Sequence, residues 1–169
     1  MSARSLSHPR DAETIVIERI FDAPREMVFD AWTKPEYLVA WFAPRDCTIE
    51  FPRIDVRPGG GFHSRIRNPA FGDCWCVGEY LDIVRPQRIV YSIAIADGEG
   101  QRIDAARAGH HPDWPAETIV SVTLEDLHGR TRLTLRQNAP LALAKETGAY
   151  PSWLEMLDGL GEFLGRGVS

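Results

Sequence analysis

The sequence predicts an α+β fold, in which a curved antiparallel sheet of about seven strands is joined by two short helices after its first strand and by a long C-terminal helix packed across it. One strand pattern precedes two helical patterns, several strand patterns then follow without an intervening helix, and the last apolar segment is again helical. Consecutive strands joined by short turns pair antiparallel, whereas a parallel sheet needs a long crossover between strands.

The N-terminal quarter of the chain predicts one strand followed by two short helices. Residues 13–21 alternate in character and include several β-branched residues, and Asp22 and Pro24 then provide the cap and first turn of a helix. Apolar residues recur at helical spacing after Pro24, and Pro35 starts a second helix. Neither helix can bury its apolar face alone, so we expect a concave surface to receive both.

Turn signals rich in glycine and proline separate the six strands that follow. Pro52 lies inside the first of them, where a proline indicates an edge strand or a bulge. The run of arginine, proline and three glycines at 57–61 predicts a tight turn. The six predicted strands span residues 46–56, 62–67, 74–84, 88–96, 118–124 and 131–136.

The last two strands form a hairpin, and an amphipathic helix closes the chain. The hairpin residues expected to face inward are Val120, Val122, Leu124, Leu133 and Leu135. In the helix, Ser152 and Glu155 have the spacing of a capping box. Its apolar side consists of Trp153, Met156, Leu157, Leu160, Phe163 and Leu164.

Length and composition predict one domain, residues 13–166, preceded by a flexible polar arm at residues 1–12. The chain is 44% hydrophobic, which is enough for one substantial core. The net charge of −5 argues against nucleic acid as a partner, because phosphate binding needs clustered lysine and arginine. The sequence has neither an apolar run near the roughly 20 residues of a membrane span nor a signal-peptide pattern. We therefore expect a cytoplasmic protein without membrane insertion.

Cysteine and histidine are too sparse to predict a disulfide framework or a metal site. Cys74 and Cys76 flank Trp75 in a predicted strand, so both thiols share one face, and reduced core thiols are the simplest interpretation. His110 and His111 are adjacent in an irregular loop, a spacing that does not aim two ligands at one ion. No metal and no cofactor are expected.

Motifs for nucleophilic catalysis and phosphate binding are absent from the sequence. It has no Gly-x-Ser-x-Gly elbow, and no Gly-Lys-Ser or Gly-Lys-Thr follows its three consecutive glycines. Glu50, Glu79 and Asp82 are carboxylates on predicted strands, yet the sequence does not show whether any is buried enough for acid–base work. No catalytic residue is assigned, and binding is favoured over catalysis.

A basic face alternates along the strand at 62–67. His63, Arg65 and Arg67 project from one side, and Phe62 and Ile66 from the other. The basic side could meet an acidic or carbonyl ligand, but a solvated outer face explains it better, because alternating charge is the usual outward pattern.

Large apolar residues from several elements are candidates for lining a ligand cavity, since such pockets are mostly apolar with a few polar groups. Ordinary core packing is the alternative for each of them. We expect the helix pair to close one end of the cavity and the last helix to roof it. The candidates are Trp32, Trp41, Phe42, Phe62, Trp75, Tyr91, Val120, Val122, Trp153, Leu157 and Leu160.

Seven segments in chain order carry a family resemblance. They are residues 19–25 with 28 and 31–33, residues 41–44, 55–60, 78–83, 86–90 and 131–136, and residue 153 with 157–160. Together they resemble the single-domain AHSA-type proteins, which are related to the C-terminal domain of the activator of the ninety-kilodalton heat-shock ATPase.

This resemblance implies the helix-grip fold of the START-like, or SRPBCC, superfamily, to which pollen-allergen-like proteins also belong. The superfamily keeps a hydrophobic cavity between the curved sheet and the last helix, and it uses this cavity for lipids, polyketides and sterols. The resemblance thus implies binding of a small hydrophobic or amphipathic ligand, without a cofactor. The alternatives are a protein-interaction module of the co-chaperone type and a cyclase or hydrolase using the same cavity.

The sequence departs from the family pattern in three places. Pro151 stands where relatives continue a helix, so we expect the last helix to begin late or to kink. Residues 97–115 form a longer loop than usual and are expected to act as a lid that narrows the cavity mouth. The partner-binding N-terminal half of the eukaryotic co-chaperone is missing, which argues against a chaperone partner. A homodimer is compatible with the sequence.

Overall fold

The computed structural model describes residues 13–166, which form one seven-stranded sheet and four helices. The arm predicted at residues 1–12 lies outside the described residues. Within 13–166, no helix has the length and apolarity that crossing a bilayer requires. The elements in chain order are β1 (Thr14–Phe21), α1 (Arg25–Thr33), α2 (Pro35–Trp41), β2 (Thr48–Ile54), β3 (Gly61–Asn68), β4 (Gly72–Val84), β5 (Arg88–Ala96), β6 (Thr118–Leu127), β7 (Arg130–Pro140), α3 (Leu141–Thr147) and α4 (Ala149–Gly165).

The strands are ordered β1-β7-β6-β5-β4-β3-β2, and every neighbouring pair is antiparallel. Strands β2 to β7 therefore form a meander, and the last of them, β7, also pairs with β1. At the β6–β7 turn, His128 and Gly129 both have positive φ, as a two-residue hairpin loop requires. The predicted α+β class is confirmed, and so is the predicted order of one strand, two short helices, six strands and a long C-terminal helix.

Two irregularities interrupt the ladders at the cavity end of the sheet. In edge strand β2, the register shifts between Glu50 and Arg53, around the proline that predicted an edge or a bulge. In β4, the register shifts between Tyr80 and Asp82. Because a bulge bends its strand and increases the local twist, these two shifts help the sheet to curve around the helices.

Helices α1, α2 and α4 cover one face of the sheet, called here the inner face and marked by Ile17, Phe62, Tyr91, Val122 and Leu135. Strand alternation directs these side chains to one side, where they join the helices in a single buried cluster. Helix α4 contacts β1, α1 and α2. Its buried residues are Trp153, Met156, Leu157, Leu160 and Leu164.

The predicted capping box of the last helix is wrong. Helix α4 begins at Ala149, directly after Gly148, whose φ of 92° is left-handed, and no side chain caps its N-terminus. Ser152 therefore lies inside the helix rather than at its cap. The Glu155 carboxylate instead accepts a hydrogen bond from the backbone N–H of Arg45 at 3.0 Å, which ties α4 to the α2–β2 connection.

The last helix does not begin late, as the sequence predicted: it starts at Ala149, two residues before Pro151. The ring lies in the first turn of α4, where backbone N–H groups have no intrahelical acceptor and a missing N–H costs nothing. The seven-residue helix α3, which the sequence reading missed, comes between β7 and α4 and buries Ala144. The left-handed Gly148 separates α3 from α4, which is why the two do not merge.

A buried polar chain joins α4 to the centre of the sheet. The Trp153 indole N–H donates to Gln137 Oε1 at 2.8 Å, and Gln137 Nε2 donates to Thr118 Oγ1 at 2.9 Å. All three side chains are buried, so both hydrogen bonds are shielded from competing water. This chain sets the position of Trp153, and with it the position of α4, over β6 and β7.

Replacing Gln137 with alanine should lower the free energy of unfolding by about 2–4 kcal/mol, because the buried Trp153 N–H loses its acceptor, the buried Thr118 hydroxyl loses its donor and a void remains. Urea denaturation followed by circular dichroism measures the change. Gln101→Ala, at an exposed loop position, is the matched control and should shift the free energy by no more than about 0.5 kcal/mol. Equal effects of the two substitutions would contradict a structural role for the hydrogen bonds that Gln137 makes with Trp153 and Thr118.

Candidate functional site

A small cavity lies between the inner face of the sheet and the α1–α2 pair. Its volume is about 20 Å³, which is room for about one water molecule. Pockets for small-molecule ligands are typically about 300–1,000 Å³, so the ligand-sized cavity that the resemblance implied is nearly filled by side chains. The lining residues are Trp32, Leu38, Phe42, Phe51, Phe62, Tyr80 and Tyr91.

Aromatic rings on the helix side of the cavity interlock around Trp32. The centroid of its ring lies 4.8 Å from that of Trp41, 5.7 Å from Phe42 and 6.4 Å from Trp153. The contacts with Trp41 and Phe42 are edge-to-face, an arrangement that aromatic pairs prefer. The Trp41 indole N–H donates to the Ala31 carbonyl at 2.9 Å, so α1 and α2 are also joined by a hydrogen bond.

Rings on the sheet side are arranged around Phe62. Its centroid lies 5.8 Å from Tyr80, 5.9 Å from Tyr91 and 6.5 Å from Phe51. Gly78 is paired with Phe62 across the β3–β4 ladder, and a methyl group at this position would overlap the Phe62 ring and the Ser92 carbonyl oxygen. The glycine therefore lets the Phe62 ring lie close against β4.

Two polar atoms in this aromatic lining have no hydrogen-bond partner within the described part of the chain: the Trp32 indole N–H and the Tyr91 hydroxyl. Burial raises the pKa of Tyr91 well above its ordinary value, with smaller contributions from charge on Tyr80 and Cys76. The Tyr91 phenol thus stays protonated and can donate. The site therefore combines apolar walls with two donors that have no protein acceptor among the described residues.

Most of the predicted site residues come together here, although their role in binding stays a prediction. Those lining the cavity are Trp32, Phe42, Phe62 and Tyr91. Those packed behind the lining in the same core are Trp41, Val120, Val122, Trp153, Leu157 and Leu160.

Trp75 is separate from the cavity, contrary to its placement among the lining candidates. The ring stacks on His63 with centroids 4.9 Å apart, and the Arg65 guanidinium lies 5.1 Å from it, on the outer face of the sheet. Strand alternation explains this position, because Cys74 and Cys76 occupy the inner face and the residue between them must point outward. The outer face is not fully solvated, since His63 is buried and its Nε2 lies 3.0 Å from the Asp97 carbonyl.

Three lining residues were missed by the sequence reading: Leu38, Phe51 and Tyr80. Tyr80 follows Gly78 at the two-residue period of β4, so the alternation itself contained its signal. The inward position of Phe51 could not be read from alternation, because the alternation of inward and outward residues changes phase at Pro52. Leu38 lies one helical turn before Trp41 on the buried side of α2, and it could have been read from that spacing.

The carboxylates considered for acid–base chemistry form ion pairs away from the cavity. Asp82 pairs with Arg88 at 2.7 Å, Glu50 pairs with Arg67 at 3.3 Å, and Glu79 is exposed. The cavity lining contains no carboxylate, imidazole or thiol. Across residues 13–166, no group of three or more histidine, cysteine, aspartate or glutamate residues is placed to hold a metal ion.

Comparison with protein families agrees with this architecture. Residues 22–165 match the family model described as Activator of Hsp90 ATPase homolog 1-like protein. The chain belongs to this family. No curated protein matches the sequence.

Solved structures of similar proteins show the same fold. A protein from Chromobacterium violaceum is 26% identical with a TM-score of 0.71, over 88% of this chain and 94% of that one. A protein from Arthrobacter aurescens is 20% identical with a TM-score of 0.80, over 96% and 92%. The AHSA1 protein from Silicibacter pomeroyi is 18% identical with a TM-score of 0.71, over 91% and 99%. The family's helix-grip fold therefore spans nearly the whole chain.

Gly78→Ala should lower the free energy of unfolding by about 1–3 kcal/mol, because the added methyl group overpacks the contact with Phe62 and Ser92. Gly161→Ala is the matched control. It lies in α4, where the new methyl group would come no closer than 3.6 Å to Phe21, and it should raise the free energy by about 0.4–1 kcal/mol. Thermal denaturation of both variants checks the signs, and a stabilising Gly78→Ala would contradict the packing described here.

Proposed function

We propose that this domain binds a small amphipathic molecule, whose apolar body lies among the aromatic rings and whose acceptor oxygen meets Trp32 and Tyr91. The observation that carries the proposal is the pair of unpartnered donors in an otherwise apolar lining. Ligand sites combine these two features, because apolar contact supplies affinity and a few polar groups set orientation. A carbonyl, carboxylate or hydroxyl oxygen provides the acceptor that both donors lack.

Comparable groups elsewhere in the core have protein partners, and among the described residues only the Nε of half-buried Arg25, at the start of α1, shares this lack with Trp32 and Tyr91. The indole N–H groups of Trp41 and Trp153 each donate to an acceptor, and the buried Thr131 hydroxyl donates to the Ala23 carbonyl at 2.7 Å. Tyr91 is buried like these groups, but its hydroxyl has no hydrogen-bond partner among the described residues. A phenylalanine at this position would avoid the cost, so retention of the hydroxyl is consistent with a role in binding.

Binding requires the cavity to widen, and two of its lining rings are only half-buried. Phe42 is half-buried and ends α2, and Phe51 is half-buried on edge strand β2 beside the register shift. Segments with few buried contacts and irregular hydrogen bonding open at low free-energy cost. Displacement of these two rings enlarges the space while α4 stays held by the Gln137 hydrogen bonds.

The two alternative functions have less support from the described residues. An interaction module of the co-chaperone type would present a contiguous apolar patch, but the large exposed apolar residues lie on four separate segments. These residues are Val16, Ile20, Val39, Phe71 and Leu81. A cyclase or hydrolase would need titratable groups converging in the cavity, and its lining offers only the two tyrosines.

Tyr91→Phe separates binding from stability. Removing an unpartnered buried hydroxyl should leave the free energy of unfolding unchanged or raise it by up to about 1 kcal/mol. The same change should weaken binding of medium-chain fatty acids by roughly five- to tenfold, because one hydrogen bond to the carboxylate is lost. Calorimetric titration and thermal denaturation measure the two effects.

Tyr37→Phe is the control for this experiment, because Tyr37 packs on Phe163 outside the cavity and loses the same hydroxyl. It should leave the affinity unchanged. Native mass spectrometry of the protein purified from its own host tests the proposal independently, with a retained small molecule as the expected result. Parallel loss of stability and no loss of affinity in Tyr91→Phe would contradict the proposed role.

A further inference from the structure

A second cluster of reactive side chains lies outside the cavity, on the inner face of β4 near the β3–β4 turn. Cys74 and Cys76 share this face, and the His110 Nε2 lies 3.8 Å from the Cys74 sulfur. Both cysteine residues are partly buried and His110 is exposed, so solvent reaches the imidazole beside Cys74. None of the three residues lines the cavity.

The long loop at 97–115 brings His110 to this position and is itself anchored to the sheet. The Ile103 backbone N–H donates to the Ile95 carbonyl at 3.1 Å, and the His110 backbone N–H donates to the Ala105 carbonyl at 2.8 Å. Ala105 is buried, which fixes the turn that holds His110. The imidazole is thus held beside Cys74 by ordered backbone.

The neighbouring groups shift the pKa of the Cys74 thiol. A hydrogen bond from Cys76 and the hydrogen bond and positive charge of His110 lower the pKa of Cys74 to about 5, although burial opposes this change. The negative Cys74 sulfur raises the pKa of His110 and, together with burial, raises that of Cys76. At neutral pH the cluster therefore holds a Cys74 thiolate beside the Cys76 thiol.

Other charged groups near this strand face away from the thiolate. Asp73 and Arg65 are bound to each other at 2.8 Å on the outer face, where Arg67 also pairs with Glu50. The groups that act on Cys74 are consequently Cys76 on its own strand and His110 on the loop.

We propose that Cys74 is a site of reversible oxidation by low-molecular-weight disulfides, with His110 as the hydrogen-bond donor that keeps its sulfur nucleophilic. The Cys74 thiolate attacks one sulfur of the disulfide, a new bond forms between the two sulfurs, and the original disulfide bond breaks. The departing thiolate takes a proton from His110. Cys74 is oxidised and the released thiol is reduced, so no further oxidant is needed.

The product is a mixed disulfide rather than a bond between Cys74 and Cys76. Alternate residues of a strand have Cα atoms about 6.6 Å apart and nearly parallel side chains. This separation is at the upper limit for a disulfide, whose Cβ atoms must approach to about 3.8 Å. An external thiol then reverses the modification by the same exchange.

Cys47 provides an internal reference for reactivity. Burial and the negative charges of Asp46 and Glu155 raise its pKa, although it is partly exposed like Cys74. At pH 5, an ordinary thiol is ionised to about one part in three thousand, compared with roughly half for Cys74. The lower intrinsic nucleophilicity of a less basic thiolate offsets only about 40-fold of this difference, so Cys74 should react on the order of tenfold or more faster.

Reaction with 4,4′-dithiodipyridine, a small disulfide that releases a chromophoric thiol, tests the proposal on the whole protein. The release rate is followed between about pH 4.5 and pH 9, and peptide mass spectrometry locates the modification. We expect Cys74 to be modified first at pH 5, with a rate profile whose midpoint lies near pH 5. Cys74→Ser should remove this fast phase.

His110→Gln should move the midpoint of the Cys74 profile upward by at least about one pH unit, because the cationic donor is lost. His111→Gln is the matched control, since the neighbouring histidine contacts Glu146 at 3.4 Å and should leave the profile unchanged. Circular dichroism shows whether each variant is folded. The proposal is overturned if Cys47 reacts as fast as Cys74 at pH 5, or if the two histidine variants have the same profile.

Discussion

The packing of Trp32 against Trp41, Phe42 and Trp153 is the contact on which the arrangement of the helices depends. Helices α1 and α2 are seven to nine residues long, and helices of this length are not stable alone. They are held because Trp32 inserts between them and α4, while Gln137 fixes Trp153 from the sheet. The same ring forms one wall of the cavity, so the contact that assembles the fold also shapes the candidate binding site.

At this site, the packed aromatic rings and the polar groups without protein partners affect stability in opposite directions. The aromatic rings leave a space of only about 20 Å³, which favours stability because apolar contacts are nearly complete. The indole of Trp32 and the hydroxyl of Tyr91 remain unpartnered among those rings, which costs stability. The Trp32 ring is needed for packing, whereas a phenylalanine could replace Tyr91 without the hydroxyl. In the proposed function, an acceptor oxygen of the ligand reaches both groups after the rings of Phe42 and Phe51 move outward.

Local patterns predicted the fold and most of the core, while contacts between distant segments limited the prediction of the site. Alternation placed Phe62 inward correctly, since the period of a strand decides its faces. The same alternation placed Trp75 outward, but its aromatic character led to its inclusion among the lining candidates. The pairing of Cys74 with His110 could not be predicted, because it depends on the course of an irregular loop across the sheet. The capping box failed because the left-handed Gly148 started α4 earlier than its apolar pattern did.

The indole N–H signals in a ¹H–¹⁵N correlation spectrum test the binding site most directly. The Trp41 and Trp153 indoles already donate within the protein, Trp32 does not, and Trp75 lies on the opposite face. During titration with a medium-chain fatty acid, we expect a large downfield shift of the Trp32 indole signal and no shift of the Trp75 signal. A ligand that binds while the Trp32 signal stays in place, or that shifts Trp75 instead, would contradict the location of the site.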